Sequence, residues 1–334
     1  MLEDSLSNQP KVSVIISAKN EEERIGLTLK AVQNLDYSNY EVIFVDGGST
    51  DNTVEKAKEM ENVKIFWQED STPGEGRNTG IRNSQSPFVA VLDGDCIPRT
   101  DWLKNALSLM KKENVGGVGG PRVSSCYGNL MSRIYLDVLS TRFASFGSPV
   151  FARPKNSKEV TNLGGVGVYA REALEKSGLY SEDLRFCEDV DLDFRIRASG
   201  YRLIYSPNVV VEHNWKVDSS KKLFKHMFLY GNGRAKAGKM CHSLFSIFHT
   251  IPSCMFLFGA MLLLSSIIFG GIFSYALIFF IAIYLSLTLL ASIAATLEFR
   301  DKIILVFAPL CYFATHFGYA IGFLVGLVTK VKVI

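Results

Sequence analysis

Four polar runs carry the residue types that could do chemistry. They are Ser17-Ala18-Lys19-Asn20-Glu21, Asp46-Gly47-Gly48-Ser49-Thr50-Asp51, Asp93-Gly94-Asp95 and Glu188-Asp189. Turns favour Asp, Asn and Gly, so any one of these runs could be only a turn. The set is harder to explain that way, because Asp93 and Asp95 follow an apolar strand directly and flank a glycine. Two carboxylates so placed suit a hard divalent cation, Mg²⁺ or Mn²⁺, which also bridges phosphates. Glu188 and Asp189 stand at a helix start, where a carboxylate can take a proton from an incoming hydroxyl or merely complement the helix dipole. Asp191 and Asp193 suit the second role, with Arg195 and Arg197 as partners. Neither G-x-G-x-x-G nor G-x-x-x-x-G-K-[ST] follows the first strand. That excludes the usual dinucleotide and P-loop arrangements.

The elements that must position these groups follow from periodicity. Val12–Ile16, Glu41–Val45, Val63–Trp67 and Phe88–Leu92 read as strands, and Ile25, Leu29, Val32 and Leu35, then Val54, Ala57 and Met60, mark the helices between them. The alternation predicts right-handed βαβ units and a mostly parallel sheet covered on both faces, with ligands at the carboxyl ends of the strands. Asn162-Leu163-Gly164-Gly165-Val166-Gly167 lets main chain approach a ligand closely, or makes a tight turn. His213 ends the apolar run Val209-Val210-Val211. The Ser-, Arg- and aromatic-rich stretch Cys126–Lys158 reads as a loop.

Composition divides the chain. It has 334 residues, with 36 Lys+Arg and 33 Asp+Glu, but Leu244–Val328 holds only the charges Glu298, Arg300, Asp301 and Lys302. A wholly soluble protein, a disordered chain and a nucleic-acid binder acting by bulk charge are excluded. Ile247–Phe269, Ile272–Leu297 and Ile303–Val328 are each long enough to cross a bilayer, joined by Gly270-Gly271 and by Glu298–Lys302. Arg234, Lys236, Lys239, Arg300 and Lys302 place both their flanks in the cytoplasm and the C-terminus outside; Lys330 and Lys332 argue against this and leave open a fourth, re-entrant segment or a different count. Pro252 and Pro309 fit first-turn positions; His249 and His316 are either functional or bonded to a neighbouring helix. Ser219–Gly238 is basic and amphipathic, as expected of a helix on the bilayer surface. The six cysteines show no pairing pattern, and the polar start, Met1–Pro10, has no signal-peptide core, so the polar part is expected in the cytosol.

Five runs resemble glycosyltransferase family 2 in order and spacing: Lys11–Glu22, Val45–Thr53, Gly76–Ile81, Leu92–Asp95 and Cys187–Arg195. The resemblance covers about Pro10 to Gly238. It implies an α/β fold, a GT-A (nucleotide-diphospho-sugar transferase) Rossmann-like domain, followed here by a C-terminal helical transmembrane region. The implied division is a catalytic domain over 1–218, an amphipathic interfacial region over 219–243 and about three membrane helices over 244–334. The implied activity is metal-dependent and inverting: a sugar moves from a UDP- or GDP-sugar to a lipid-linked acceptor, a polyprenyl or dolichyl phosphate or diphosphate, at the cytoplasmic membrane face. Ser17, Lys19, Asn20, Glu21, Asp46, Arg77, Asp93 and Asp95 correspond to nucleotide-binding positions, and Asp93, Asp95 and His213 to the site of a Mn²⁺ or Mg²⁺ cofactor. Asp189 corresponds to the catalytic base, with Glu188 positioning it or standing in for it; Gly164, Gly165 and Arg234 are candidates for acceptor or phosphate contact, and Asp51 for a helix support. Tyr230–Arg234, followed by apolar spans, resembles the membrane-attached members that build exopolysaccharides or modify lipid carriers, while the absent Q-x-x-R-W signature argues against long-chain polymerisation. The expected partners are a nucleotide-sugar, a lipid-linked acceptor and membrane lipids, with no nucleic acid. The alternative is a membrane scaffold or lipid-translocating subunit with a vestigial nucleotide-binding domain.

Overall fold

Strict alternation in the first strands buries both faces of one sheet. In β1 (Val12–Ala18), Val12, Val14 and Ile16 join one core cluster and Ile15 another; Val42 and Phe44 against Ile43 and Val45 repeat this in β2 (Tyr40–Asp46). A sheet buried on both faces needs helices on both sides, and the chain supplies them. The computed structural model describes residues 9–69, 71–145, 153–241, 244–245 and 247–330. They divide into two compact units: Met1–Tyr127 with Ala152–Asn214, and Gly128–Phe151 with Trp215–Ile334.

The first unit runs β1, α1 (Ile25–Gln33), β2, α2 (Thr53–Lys58), β3 (Val63–Trp67), α3 (Pro73–Arg82), β4 (Phe88–Asp93), β5 (Cys96–Pro98), α4 (Trp102–Met110), β6 (Val115–Gly119) and β7 (Arg122–Ser124). After α5 and α6 of the second unit it resumes with β8 (Lys158–Glu159), β9 (Gly167–Ala170), α7 (Arg171–Lys176), α8 (Glu188–Ala198), β10 (Arg202–Tyr205) and β11 (Val211–His213). The main sheet has the order β3-β2-β1-β4-β9-β6-β10-β8. Strands β1 to β4 are parallel, as expected, while β9 and β8 run against their neighbours. The register sets Ala18 beside Asp46 and Ser17 beside Asp93, so the chemistry-bearing residues end on one edge. A second sheet, β5-β11-β7, sets His213 between Cys96 and Ser124.

The second unit holds α5 (Leu130–Leu139), α6 (Arg142–Ser145), α9 (Ser220–Met240), α10 (Ile247–Phe269), α11 (Ile272–Phe299) and α12 (Ile303–Val328). Two helices thus lie within the stretch Cys126–Lys158 that sequence reads as a loop. Asn129 caps α5, its side chain accepting from the Ser132 N–H at 2.8 Å. The last three helices are long and apolar enough to cross a membrane. Pro252 and Pro309 are not first-turn residues: both lie inside their helices, one to two turns further in. His316 is bonded to the carbonyl of Phe143 at 2.9 Å and to the Tyr284 hydroxyl at 3.2 Å, the neighbour-helix role.

Helix α9 is less a free surface helix than its pattern suggests. A Cβ at Gly318, Gly322 or Gly326 of α12 would collide with the main-chain oxygens of Phe224, Phe228 and Asn232 in turn. Both sets step by four in the same direction, so α9 and α12 run parallel in backbone contact, which only glycines allow.

Candidate active site

The loops after β1 and β2 are tied together before any ligand is considered. Asn20, at φ +55°, donates its N–H to Ser49 Oγ (2.9 Å) and accepts from the Thr50 N–H through Oδ1 (2.8 Å). The Glu21 N–H donates to Thr53 Oγ1 (2.7 Å), and Asp51 accepts from the N–H groups of Glu22 and Thr53, a supporting role. Asp46 is buried, and its carboxylate accepts from the N–H groups of Gly48 and Ser49 and from Ser49 Oγ (2.5 Å). Asn20 and Asp46 thereby shape the rim. Ser17 lies against Gly76, and the exposed Lys19 flanks Gly47.

A buried guanidinium organises the centre. Helix α3 begins with a reciprocal capping box, Thr72 with Glu75, and Pro73 at its first position. One turn on, Arg77 donates Nη2 to Asp93 Oδ1 (2.7 Å) and Nη1 to Glu188 Oε1 (2.5 Å), and stacks 5.2 Å from the Tyr180 ring. Burial opposes the charge on Arg77, but the two carboxylates outweigh it and hold its pKa well above the usual value. Glu188 shows the opposite balance. Burial and the neighbouring Asp189 push it up to about 7, although Arg77 pulls it down. It follows Cys187, whose φ of +66° places a non-glycine residue in the left-handed region to turn the chain into α8.

Asp189 is partly accessible and lies against the loop Asn162–Gly165. A Cβ on Gly165 would stand 3.4 Å from the Asp189 side chain and 3.5 Å from Arg77 Nη2, and both Gly164 (φ +81°) and Gly165 (φ +82°) use left-handed backbone. Asp193 holds this loop from beneath. It is wholly buried, accepts from the Leu163 N–H (2.6 Å) and the Tyr169 hydroxyl (3.3 Å), and burial raises its pKa strongly. It is therefore not a helix-end decoration, whereas Asp191 is paired with Arg195 (2.7 Å) as expected. Asn162 is buried, yet neither end of its amide has a hydrogen-bond partner among the described residues. An amide left so is costly unless a ligand meets it.

At the other end of Asp93-Gly94-Asp95 the carboxylates part. Asp93 turns to Arg77, while Asp95 Oδ2 lies 3.3 Å from His213 Nε2. Asp95, Cys96 and His213 form a cluster that could hold an ion, and Asp93 is not in it. The oxygen and imidazole pair suits Mn²⁺ or Mg²⁺, since neighbouring ligands on an octahedral ion with bonds of about 2.1 Å are roughly 3 Å apart. Cys96 is a wall rather than a donor: it is fully buried, and burial together with Asp95 and Asp93 pushes its thiol pKa far up, leaving no thiolate.

Sequence reasoning missed Arg122 and Asn162. Arg122, on β7, feels the charges of Asp93 and Asp189 and remains partly accessible, and its guanidinium forms no hydrogen bond among the described residues. Its signal was position, just beyond the carboxyl end of β6. Arg234 lies in the second unit, on α9, with Nη2 2.9 Å from Nε2 of His249.

A family model described as Glycosyl transferase family 2 matches residues 13–178. The chain is 29% identical over 331 residues to the dolichyl N-acetyl-alpha-D-glucosaminyl phosphate 3-beta-D-2,3-diacetamido-2,3-dideoxy-beta-D-glucuronosyltransferase of Methanococcus voltae, covering 95% of this chain and 97% of that one. It is 32% identical over 237 residues to glycosyltransferase AglE of Haloferax volcanii, covering 68% of this chain and 74% of AglE. Among solved structures, mannosyltransferase PcManGT from Pyrobaculum calidifontis, in complex with GDP-Man and Mn²⁺, matches with a TM-score of 0.63 at 22% identity, over 96% of this chain and 88% of that one. At that identity the likeness concerns the fold.

Proposed function

The chain belongs to glycosyltransferase family 2, and from that premise we propose that it transfers one sugar, with inversion, from a UDP- or GDP-sugar to a hydroxyl of a dolichyl- or polyprenyl-linked acceptor at the cytoplasmic membrane face. The observation that carries the reading is the division of labour among the carboxylates: Asp93 and Glu188 are locked on Arg77, Asp95 faces His213, and Asp189 stays accessible over Gly165. Asp189 is the general base. It takes the proton of the acceptor hydroxyl, whose oxygen bonds to the anomeric carbon as the bond from that carbon to the diphosphate breaks, releasing the nucleoside diphosphate. Glu188 is poorly suited to this role, because it is buried and tied to Arg77, and it positions the helix start instead. A Mn²⁺ or Mg²⁺ held by Asp95 and His213 would neutralise charge appearing on the departing diphosphate.

Ser17, Lys19, Asn20, Glu21 and Asp46 line the nucleotide end, with Asn20 and Asp46 acting through the loops they hold. Arg77 acts there indirectly, by orienting Asp93. The amide of Asn162 offers a donor and an acceptor to the transferred sugar, matching an acetamido substituent, and Arg122 offers a cation to an acidic one. Support comes from the Methanococcus voltae relative, whose name specifies a diacetamido glucuronosyl group and a dolichyl-phosphate-linked acceptor. Arg234, Lys236 and Lys239 before the first apolar helix support the cytoplasmic face.

The test is Asp189→Asn in the full-length chain, assayed with UDP- and GDP-sugars on a dolichyl-phosphate-linked sugar and on dolichyl phosphate. On the hydroxyl acceptor the rate should fall about 10²–10⁴-fold while donor binding persists. On a phosphate acceptor, already a nucleophile, it should fall little. Failure of every nucleotide-sugar to raise the melting temperature, with or without Mn²⁺, would refute the reading.

A further inference from the structure

The three apolar helices have length and composition for three crossings, but contacts within the second unit describe two. Helices α10 and α11 form a hairpin through Gly270 and Gly271: Ser266 Oγ is 2.8 Å from Ser274 Oγ, and the Phe258 and Phe280 rings are 5.4 Å apart. The base of this hairpin is therefore marked by Ile247 and Phe299 and its tip by the two glycines. Helix α12 starts at that base, with three residues between it and Phe299. A crossing helix of its length would end near the tip.

It does the reverse. Phe317 meets Phe256 (5.8 Å between rings), and three residues later Ser253 Oγ donates to the carbonyl of Ala320 (3.1 Å). Further on, Gly326 abuts Asn232, and Arg234, two residues along α9, reaches His249 in the first turn of α10. Along α11, Tyr312 reaches Ala291 and His316 and Phe317 reach Tyr284, which is no higher than the middle of the hairpin; along α10 the partners then pass from Phe256 back to Ser253, towards the base, where Arg234 of α9 reaches His249. The last turn of α12 is held by Lys239, whose Nζ donates to the carbonyls of Leu327 (2.8 Å) and Thr329 (2.6 Å).

The helices covering α12 point the same way. Near its middle, Tyr312 and His316 pack on Phe143 of α6, each 5.0 Å between rings, and Tyr312 reaches Thr141 (3.3 Å). Helices α5 and α6 lie between β7 and β8 in sequence, so they stay on the side of the catalytic domain. From Gly318 onward the cover is α9, which follows β11 and carries Lys221, Lys222, Lys225, Arg234, Lys236 and Lys239. One face of Tyr312–Thr329 is thus lined over 18 residues, roughly 27 Å at 1.5 Å per residue, by α6 and α9, while another face meets α10 and α11. That is nearly the thickness of the hydrocarbon layer. A crossing α12 would drag six cations of α9 into lipid, where charges are costly.

We infer that α12 lies obliquely across the base half of the α10–α11 hairpin without reaching its tip, that the chain crosses the bilayer twice, and that its end returns to the side of the catalytic domain. The surface partner is the leaflet on that side. The uncovered stripe Val306, Leu310, Phe313, Val325 and Val328 enters its apolar boundary, while the α9 cations and Lys330 meet anionic headgroups. Lys330 and Lys332, misplaced by a three-span topology, then obey the positive-inside rule. The inference does not depend on the reaction proposed above.

The experiment uses the full-length chain in native membranes with epitope tags before Met1, between Gly270 and Gly271, and after Ile334, in separate proteins. Protease protection in right-side-out and inverted vesicles should find the first and last tags on one side and the middle tag on the other. A final tag opposite the first, or distributed between both sides, would overturn the inference, as would a middle tag on the side of the first.

Discussion

Glu188→Gln gives the site its sharpest test, because Glu188 is a buried acid whose ion pair fails to keep it acidic. Its folded pKa of about 7 stands above the ordinary 4.5. Below pH 4.5 the folded and unfolded chains both hold the proton. Between 4.5 and 7 the folded chain retains a proton that the unfolded chain has released, so stability falls as pH rises through this window and is flat above it. The shift of about 2.5 units at 1.36 kcal/mol each amounts to at most about 3–4 kcal/mol, of which about 2–3 falls between pH 5 and pH 8. Glutamine keeps the shape and does not titrate. The difference in stability, variant minus wild type, should therefore grow between pH 5 and pH 8, which for a domain of this size corresponds to about 5–10 °C in relative melting temperature. Thermal unfolding of the detergent-purified chain, followed by intrinsic fluorescence at each pH, reads it directly. A flat difference would show that burial does not dominate at Glu188. A difference that is flat above about pH 4.5 and shrinks as pH rises towards that value from below would show that Arg77 wins.

Arg122→Gln removes a cation that makes no hydrogen bond among the described residues, so the melting temperature should hold within about 2 °C while the KM for an acidic nucleotide-sugar rises tenfold or more; steady-state kinetics with acidic and neutral donors checks both. Asp193→Leu strands the Leu163 N–H in the core and should cost about 1–3 kcal/mol, whereas Asp193→Asn keeps an acceptor and should cost less, as measured by denaturant unfolding. Gly322→Leu forces α9 off α12 and should cost at least the 1–3 kcal/mol typical of overpacking, seen as a lower melting temperature and loss of a monodisperse peak in size-exclusion chromatography.

Residues whose role depends on the edge of a parallel sheet were legible in the sequence. The strands and the loops after them, with Asp93 and Asp95, follow from two-residue periodicity and from where α/β sheets expose chain ends, whereas Glu188 and Asp189 open a helix and are picked out by its acidic start and by the family resemblance. What periodicity cannot show is the direction in which a side chain leaves that edge. Asp93 and Asp95 are two residues apart, yet a strand ends at one and another begins just past the other, so one turns to Arg77 and the other to His213. Asp193 looked like surface charge because its sequence neighbours are charged. Its burial depends on Leu163 and Tyr169, 30 and 24 residues away, and no local pattern encodes that contact. Arg122 sits where the strand-end rule would have found it, after a Gly-Gly-Pro run that gave no reason to look.

The membrane helices show the same limit in another form. Hydropathy measures what a helix can bury, and lipid and protein satisfy it equally. For α10 and α11 the distinction is immaterial, because apolar side chains such as Ile267, Ile272, Phe279 and Leu290 face outward all round. In α12 the apolar count is inflated by residues that bury against protein: Cys311, Ala314, Ala320 and Phe323 inside the bundle, and three glycines under the backbone of α9. The sequence does mark this difference, in the four-residue spacing of Gly318, Gly322 and Gly326 and in polar Tyr312, Thr315 and His316 on the same helix. A helix that faced lipid along its length would have little use for either. Counting spans by length alone treats these glycines as apolar filler, when they are the positions where a second, cationic helix lies against the first.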